Sequence, residues 1–421
     1  MIQHLHQVFL NSSGINTDTR KIEKGQLFFA LIGNNFNGNN YVEEALKQGA
    51  THAVCSDHKF KDDSRVTVVK DVLTTLQQLA TYHRHYIKVP LIGITGSNGK
   101  TTTKELIFSV LSTQFKVTAT KGNLNNHIGV PLTLLSLKKN DQIGIIEMGA
   151  NHPKEIAALC EIAQPDFGLI TNYGKAHLEG FGGIEGVKTS KSELYDYLRK
   201  SSGTAIIGRW DPEQIVRSVG VKTILTPENT SIYSENPYIS CIINGDLIKT
   251  NLTGNYNFHN ALYAYSLGSI MGVTKENISK GLSSYTPTNN RSQVLEINNT
   301  KIILDAYNAN PSSMKVALEN LAIQNSKHKI AILGDMFELG IYAHEEHEKI
   351  ALLAKKLKID EVFLIGQNFF NTTIPATNKF KTRELFNNSQ HIDTQKEQVI
   401  LIKGSRGMQL ENILKEKCLV Q

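Results

Sequence analysis

A short apolar run that ends on a glycine-bearing loop recurs along this chain, and that unit limits the fold more than any other feature. It occurs as "PLIGIT" before Gly96, "QIGIIEMGA" before Asn151, "FGLITN" before Gly174 and "GTAIIG" before Asp211, and again as "KIAILGDM", "EVFLIG" and "QVILIKGSRG". Runs that are apolar throughout suit strands buried on both faces, and amphipathic stretches follow them. The pattern predicts α/β architecture with a doubly wound parallel sheet. Upstream, "QLFFALIG" reads as a strand, "YVEEALKQGA" as a helix closed by Gly49 and "THAVCS" as a further strand, with "TLQQLATYHRHYIK" as a connecting helix before Pro90. Near residue 290 the pattern changes, and "QVLEINNTKIILDAY" reads as a hairpin turning at Asn298-Asn299. A chain of 421 residues accommodates about three domains. They are expected at 1–85, 86–290 and 291–421.

Composition narrows the class. Hydrophobic residues make up 40% and charged residues 20% of the chain, the range of an ordinary globular protein. The formal charge of +6 is spread along the sequence and not gathered in a basic block. It implies no nucleic-acid partner, while leaving room for a small anionic ligand. Cys55, Cys160, Cys241 and Cys418 are far apart in sequence and form no Cys-x-x-Cys pair, so buried free thiols are expected. No signal-peptide pattern and no run of about 18 apolar residues occurs. The expectation is a cytoplasmic monomer that does not engage a membrane.

The stretch "LIGITGSNGKTTTKELI" carries the strongest chemistry. The usual phosphate-loop pattern wants a glycine five positions before Gly99, where this chain has Ile94; Gly96 is present and Gly93 comes one place early. Strand, Gly-x-x-Gly-Lys-Thr and helix nevertheless coincide. A glycine turn at a helix N-terminus presents backbone amides to an anion, Lys100 adds a point charge, and the Thr101 hydroxyl is placed to ligate Mg2+. Glu147, at the end of "IGIIE", is a candidate metal ligand at a neighbouring strand end. His177 sits in the next glycine-bearing loop. Lys191 shares the inward face of a helix with Val187, Leu194 and Leu198, an unusual place for an ammonium unless it snorkels.

These segments resemble the Mur ligase family. "GITGSNGKTTTKE", "KGNLNNHIGVPLTLL", "IIEMGANHPKEI", "NYGKAHLEGFGGIEGVKTSKSELY", "DAYNANPSSM", "GDMFELG" and "KGSRGM" follow one another in the family's order, and "NTDTRKIEKGQLFFALIGNNFNG" resembles its UDP-binding domain. The resemblance implies a small N-terminal α/β domain, a central phosphate-loop domain and a C-terminal Rossmann-like domain that closes on ATP and receives the amine substrate. "DAYNANP" and "GDMFELG" point to those members that join D-alanyl-D-alanine to UDP-N-acetylmuramoyl-tripeptide through an acyl phosphate. Another Mur ligase or a folylpolyglutamate-type ligase, which shares the central domain, is the alternative; the N-terminal segment and "NANP" point instead to UDP-muramoyl peptides. A non-catalytic nucleotide switch is the other, and would need neither His177 nor Lys191.

Residue by residue, the resemblance implies that Gly96, Ser97, Asn98, Gly99, Lys100, Thr101 and Thr102 hold the ATP phosphates. Thr101, Glu147, His177 and Lys191 are implied at Mg2+, with Lys191 carbamylated so that the amine becomes an anion. Asn257 and Asn260 resemble the adenine-side asparagines, with Tyr256 standing where the family usually has histidine. Arg291 is implied to reach the phosphates from the third domain, with Asp305 near the ribose and Asn308, Asn310 and Pro311 completing that motif, Asn308 also on the ATP side. Catalysis is implied for Lys100, His177, Lys191 and Arg291. On the substrate side stand Asp18, Thr19 and Arg20 for the nucleotide sugar, Asn123, Asn125 and Asn126, Asn310, and Lys403, Ser405 and Arg406 for the carboxylate of the amine substrate. Asn37 and Asn39 replace the family's customary aspartate and histidine.

Overall fold

The computed structural model describes residues 1–288, 290–374, 378–389 and 392–417, so Cys418 lies outside the described residues. Three sheets carry the architecture. A four-stranded parallel sheet of Ile15–Asn16, Leu27–Phe29, His52–Cys55 and Val66–Val68 forms the N-terminal layer. The central sheet has six parallel strands in the spatial order Lys222–Leu225, Thr204–Ile207, Phe167–Ile170, Leu91–Thr95, Ile143–Glu147, Val117–Ala119. The third sheet runs Gln293–Ile297, Thr300–Asp305, Gln398–Lys403, Lys329–Gly334, Glu361–Ile365, Lys379–Phe380, with the first strand antiparallel at one edge. Its hairpin turns at Asn298-Asn299 as the sequence suggests, Asn298 taking φ 53°.

The central strands form because no solvent face is left to them. Leu91, Ile92 and Ile94 have no exposed surface, and full burial of each such side chain is worth about 1.5–3 kcal/mol. Leu91–Thr95 lies between Phe167–Ile170 and Ile143–Glu147, so three strand ends deliver their loops to one rim. Ligands collect at such a point, where the order of strands reverses.

Two differences from the sequence reading stand out. "QLFFALIG" is not one strand: pairing stops after Phe29, and Ile32–Gly33 turns into a separate exposed ribbon with Phe36–Asn37. The break coincides with the Gly38 backbone packed against Ala30 and Leu31, where a side chain would lie 2.5 Å from the Leu31 carbonyl. A three-stranded antiparallel sheet, Thr230–Ser234, Ser240–Ile243 and Asp246–Lys249, was not anticipated. It buries Cys241, Ile243 and Ile248 against Leu262 and its neighbours on the helix Tyr256–Ile270. Cys55, Cys160 and Cys241 are buried free thiols. Among the described residues no helix is long and apolar enough to cross a membrane.

The helix Val72–Ile87 joins the N-terminal layer to the central domain by packing on Gly129–Ser136. At this joint His6 and His83 are both buried and share a hydrogen bond of 2.9 Å, His83 also bonding the Leu137 carbonyl at 3.0 Å. Phe9, Tyr82 and Tyr86 surround the pair. Burial, and then His83, pull the His6 pKa down from 6.5 to about 4; burial lowers that of His83 as well. The unfolded chain therefore takes up protons that the folded pair refuses, and stability falls as pH drops from about 6.5 towards about 4. The thermal midpoint is expected to fall less between neutral pH and pH ~5 in a His6→Phe variant. An equal fall in both proteins would remove this pair from the acid sensitivity.

Candidate active site

The strand Leu91–Thr95 ends at Gly96, and the helix Lys100–Leu111 begins after Gly99. Both glycines have positive φ, 138° and 78°. A Cβ on Gly96 would stand 2.0 Å from Thr171 Oγ1, and one on Gly99 would stand 2.9 Å from Asn260 Oδ1. Only glycine fits either place. The turn is clamped by the end of the neighbouring strand: Thr171 Oγ1 donates to Asn98 O at 2.6 Å, Asn172 brackets Asn98 through 2.9 and 3.1 Å bonds, and Ser97 Oγ donates to Gly174 O at 2.7 Å. The first amides of the helix have no intrahelical acceptor. Gly99, Lys100, Thr101 and Thr102 line a cavity of ≈ 710 Å³.

Lys100 folds back, donating to Gly96 O at 2.7 Å and Ser97 O at 3.3 Å. Burial holds its ammonium below the usual lysine range, Glu147 opposing the shift and Arg291 adding to it. Glu147 is 1% exposed, and its carboxylate accepts from the Thr101 hydroxyl at 2.9 Å and Asn125 Nδ2 at 2.8 Å. Asn123 and Asn126 line the same wall, Asn126 Oδ1 accepting from Gly129 N and Ile128 N at the start of the next helix.

His177 also lines the cavity, with φ 52°, and its Nδ1 bonds the Glu338 carboxylate of the third domain. Lys191 lies just behind the wall. Its side chain is 1% exposed, Nζ donates to Ala150 O at 3.1 Å and stands 5.0 Å from the centre of the Phe181 ring, and burial pushes its pKa well down, the nearby Lys100 charge adding to this. Val187, Leu194 and Leu198 share its buried face.

The third domain supplies the opposite wall. Arg291 stacks 3.6 Å over the Tyr307 ring, and Arg406 lies 5.0 Å from the same ring. Asp305 accepts from Ser292 N at 2.9 Å and pairs with Lys403 at 2.5 Å, while Lys403 also bonds the Asn308 carbonyl at 3.1 Å. Lys403 thus faces a carboxylate of its own chain. Ser405 Oγ is engaged too, accepting from Phe337 N at 2.9 Å. Asn310 caps the helix Pro311–Ile323, and its Nδ2 donates to Asn98 Oδ1 at 2.7 Å, tying the third domain to the glycine turn. Asn257 and Asn260 form a chain under the turn, Asn260 Nδ2 to Asn257 Oδ1 at 2.8 Å and Thr103 Oγ1 to Asn260 Oδ1 at 3.0 Å.

Asp18, Thr19 and Arg20 are not brought to this cavity. They form an N-terminal turn in which Arg20 makes a two-pronged contact with Asp18 at 2.9 and 2.8 Å. Gly96, Lys191, Ser405 and Arg406 stand outside the cavity lining as well. Sequence reasoning assigned no role to Tyr307 or Glu338, although both lie inside motifs it singled out. Thr171 and Asn172 were in plain view as the end of "FGLITN", but their role appears only through contacts more than 70 residues away.

The oxygen donors around Glu147 fit Mg2+, which uses one or two carboxylates together with phosphate oxygens and keeps several waters. Among the described residues no group of three or more His, Cys, Asp or Glu side chains forms a closed metal cage.

Fold and glycine turn together define a three-domain α/β protein of the phosphate-loop class. The Mur ligase middle-domain model matches residues 94–268, the Mur ligase glutamate ligase domain model residues 290–406, and the Mur ligase family catalytic-domain model residues 11–89. A Bacillus subtilis (strain 168) protein named "UDP-N-acetylmuramoyl-tripeptide--D-alanyl-D-alanine ligase" is 35% identical, over 96% of this chain and 92% of its own. The crystal structure of MurF from Acinetobacter baumannii superposes with a TM-score of 0.86 at 29% identity, covering 99% of this chain and 98% of that one. MurF ligase from Thermotoga maritima, solved in complex with ADP, gives 0.83 at 26% identity, covering 97% of each chain. This chain belongs to the Mur ligase family.

The Lys191 amine bonds a carbonyl and faces a ring, and among the described residues it makes no ion pair, Glu155 and Glu193 acting on it only from a distance. Lys191→Met should therefore leave the unfolding free energy unchanged or raise it by about 1 kcal/mol. Urea unfolding measures this; a loss above about 2 kcal/mol would show that the amine holds the fold.

Proposed function

We propose that this chain joins D-alanyl-D-alanine to UDP-N-acetylmuramoyl-tripeptide, with ATP converted to ADP and phosphate, in peptidoglycan synthesis. The observation that carries the reading is the meeting around one cavity of the glycine turn with Lys100, the Thr101–Glu147 pair, and Arg291 and Asp305 of the third domain. The full-length likeness to the B. subtilis ligase supplies the substrates. It includes the N-terminal domain, which favours a muramoyl nucleotide over a folate.

The work divides among 1–85 for the UDP-sugar, with Asp18, Thr19 and Arg20, 86–290 for ATP, and 291–421 for closure and the amine. The helix N-terminus and Lys100 hold the phosphates, Lys100 exchanging the carbonyls of Gly96 and Ser97 for phosphate oxygens. Arg291 offsets charge from the other wall, Asp305 and Asn308 face the ribose, and Asn257 and Asn260 brace the turn on the adenine side. Asn123, Asn125 and Asn126 face the muramoyl peptide. Its terminal carboxylate attacks the γ-phosphorus, ADP leaves, and an acyl phosphate forms. The amine of D-alanyl-D-alanine then attacks the acyl carbon, and phosphate departs with loss of the amine proton. Arg406 and Ser405 stand at the third-domain side where the dipeptide carboxylate is received, and Lys403 orders that wall through Asp305. Docking of the third domain, through Asn310 to Asn98 and Lys175 to Glu346 at 2.7 Å, excludes water from the acyl phosphate.

Thr101 and Glu147 would hold Mg2+, with His177 and a carbamylated Lys191 at a second ion. When bound, the metal supplies Lewis-acid shielding of the phosphate charge. A buried lysine without a carboxylate partner is suited to carbamylation, because its neutral amine is the form that adds CO2. The protein acts as a cytoplasmic monomer.

The test is phosphate release from ATP and Mg2+, omitting each substrate in turn. Release that needs both, with the UDP-muramoyl pentapeptide in the mass spectrum, is expected; release that needs neither would replace this reading with a simple ATPase. Lys100→Met should lower kcat at least ~100-fold with the fold intact. In 13C-bicarbonate the wild type should show a carbamate resonance that Lys191→Met lacks.

A further inference from the structure

The loop after the strand Lys329–Gly334 is rigidly built. Met336 N donates to His347 Nε2 at 3.0 Å, Phe337 N to Ser405 Oγ at 2.9 Å, and Ser405 N to Asp335 O at 3.1 Å. These bonds present Glu338 to the central domain from a left-handed backbone, φ 59°, opposite His177, which is itself left-handed. A side chain other than glycine rarely adopts that region, and such residues gather at functional sites. Two contacts join the loops: the Glu338 carboxylate with His177 Nδ1, and the Glu338 carbonyl with Glu179 N at 3.2 Å. Gly340 meets the Glu179 side chain immediately beyond.

We propose that Glu338 is a positioning residue that fixes the tautomer and orientation of His177 across the domain seam. The inference rests on the ligase reading of the site. A carboxylate has no proton to give, so the hydrogen lies on His177 Nδ1. A neutral ring then keeps its Nε2 lone pair for the cavity that His177 lines, the reverse of the tautomer favoured by a free histidine side chain. Carboxylate partners orient ring nitrogens in this way wherever an imidazole must present the other nitrogen. Because Glu338 belongs to the third domain, His177 is set only when that domain is docked. Chemistry is thereby tied to closure.

The test reads the ring directly, in the full chain without metal and with ADP present to favour the docked third domain. Long-range 1H–15N spectra at about pH 8.5, where histidines are neutral, with the His177 signals assigned by their loss in His177→Gln, should show Nδ1–H in the wild type. Glu338→Ala should move the signal to the Nε2–H pattern and lower kcat at least ~10-fold, with KM for ATP within about threefold. Glu338→Gln keeps an acceptor oxygen and should retain the wild-type tautomer and kcat within about threefold. An unchanged tautomer in Glu338→Ala overturns the proposal, and so does equal loss in the Gln and Ala variants, which marks a packing role. A wild type without ligase activity would defeat the functional reading instead, while the tautomer would still decide whether Glu338 sets His177.

Discussion

A carboxylate taken out of water needs a counter-charge, and at Glu147 the structure supplies neutral donors: a threonine hydroxyl and an asparagine amide. A buried charge needs more than these two hydrogen bonds. The charge that answers it from within the site is the nearby Lys100 ammonium, which the carboxylate in turn favours. Everything nearby follows from it. Thr101 must sit in the first turn of its helix to reach Glu147, so the helix must start at Lys100. The chain must then reverse within Gly96 to Gly99, and the neighbouring strand end closes so tightly on that turn that no Cβ fits at Gly96.

Much of this was legible because it is local. The glycine turn, the lysine and the following threonines lie within a few residues, and strand burial forces the apolar pattern that reveals the fold. Lys191 was also readable, since its apolar neighbours recur at helical spacing. What could not be read is what tertiary register decides. Lys403 was expected to receive a substrate carboxylate, yet the parallel pairing of Thr300–Asp305 with Gln398–Lys403 sets Asp305 opposite Lys403. No spacing within either segment carries that information. The antiparallel sheet at Thr230–Lys249 escaped for another reason. Its first strand alternates intermediate with exposed residues and carries Thr and Ser, so its periodicity is faint.

The domain seam is the second thing that only the structure provides. Asn98 and His177 belong to the central domain, yet each has a third-domain partner, Asn310 and Glu338. Lys175 adds Ser312 at its amide and Glu346 at its ammonium. These contacts gather on the loops that follow two adjacent strands, Leu91–Thr95 and Phe167–Ile170. A movement of the third domain therefore acts on the phosphate turn and on the histidine together, because both are fastened to it.

Charge then explains why the seam should close on a particular kind of ligand. Lys100 and Arg291 face one cavity, Arg291 disfavouring the Lys100 charge, and Lys191 lies close enough for Lys100 to add to its depression. Glu147 is the carboxylate that counters Lys100 from within the site, while Asp305 is already answered by Lys403. The cavity lining sets Lys100, Arg291 and Lys403 against Glu147, Glu155 and Asp305, and Arg291 and Lys100, which make no ion pair among the described residues, repel across the seam. Polyphosphate oxygens remove that repulsion, so an anionic ligand and the closed arrangement stabilise each other. The same crowding of charge reaches Lys191, where the Lys100 ammonium adds to the burial that depresses its pKa while Glu155 and Glu193 oppose it.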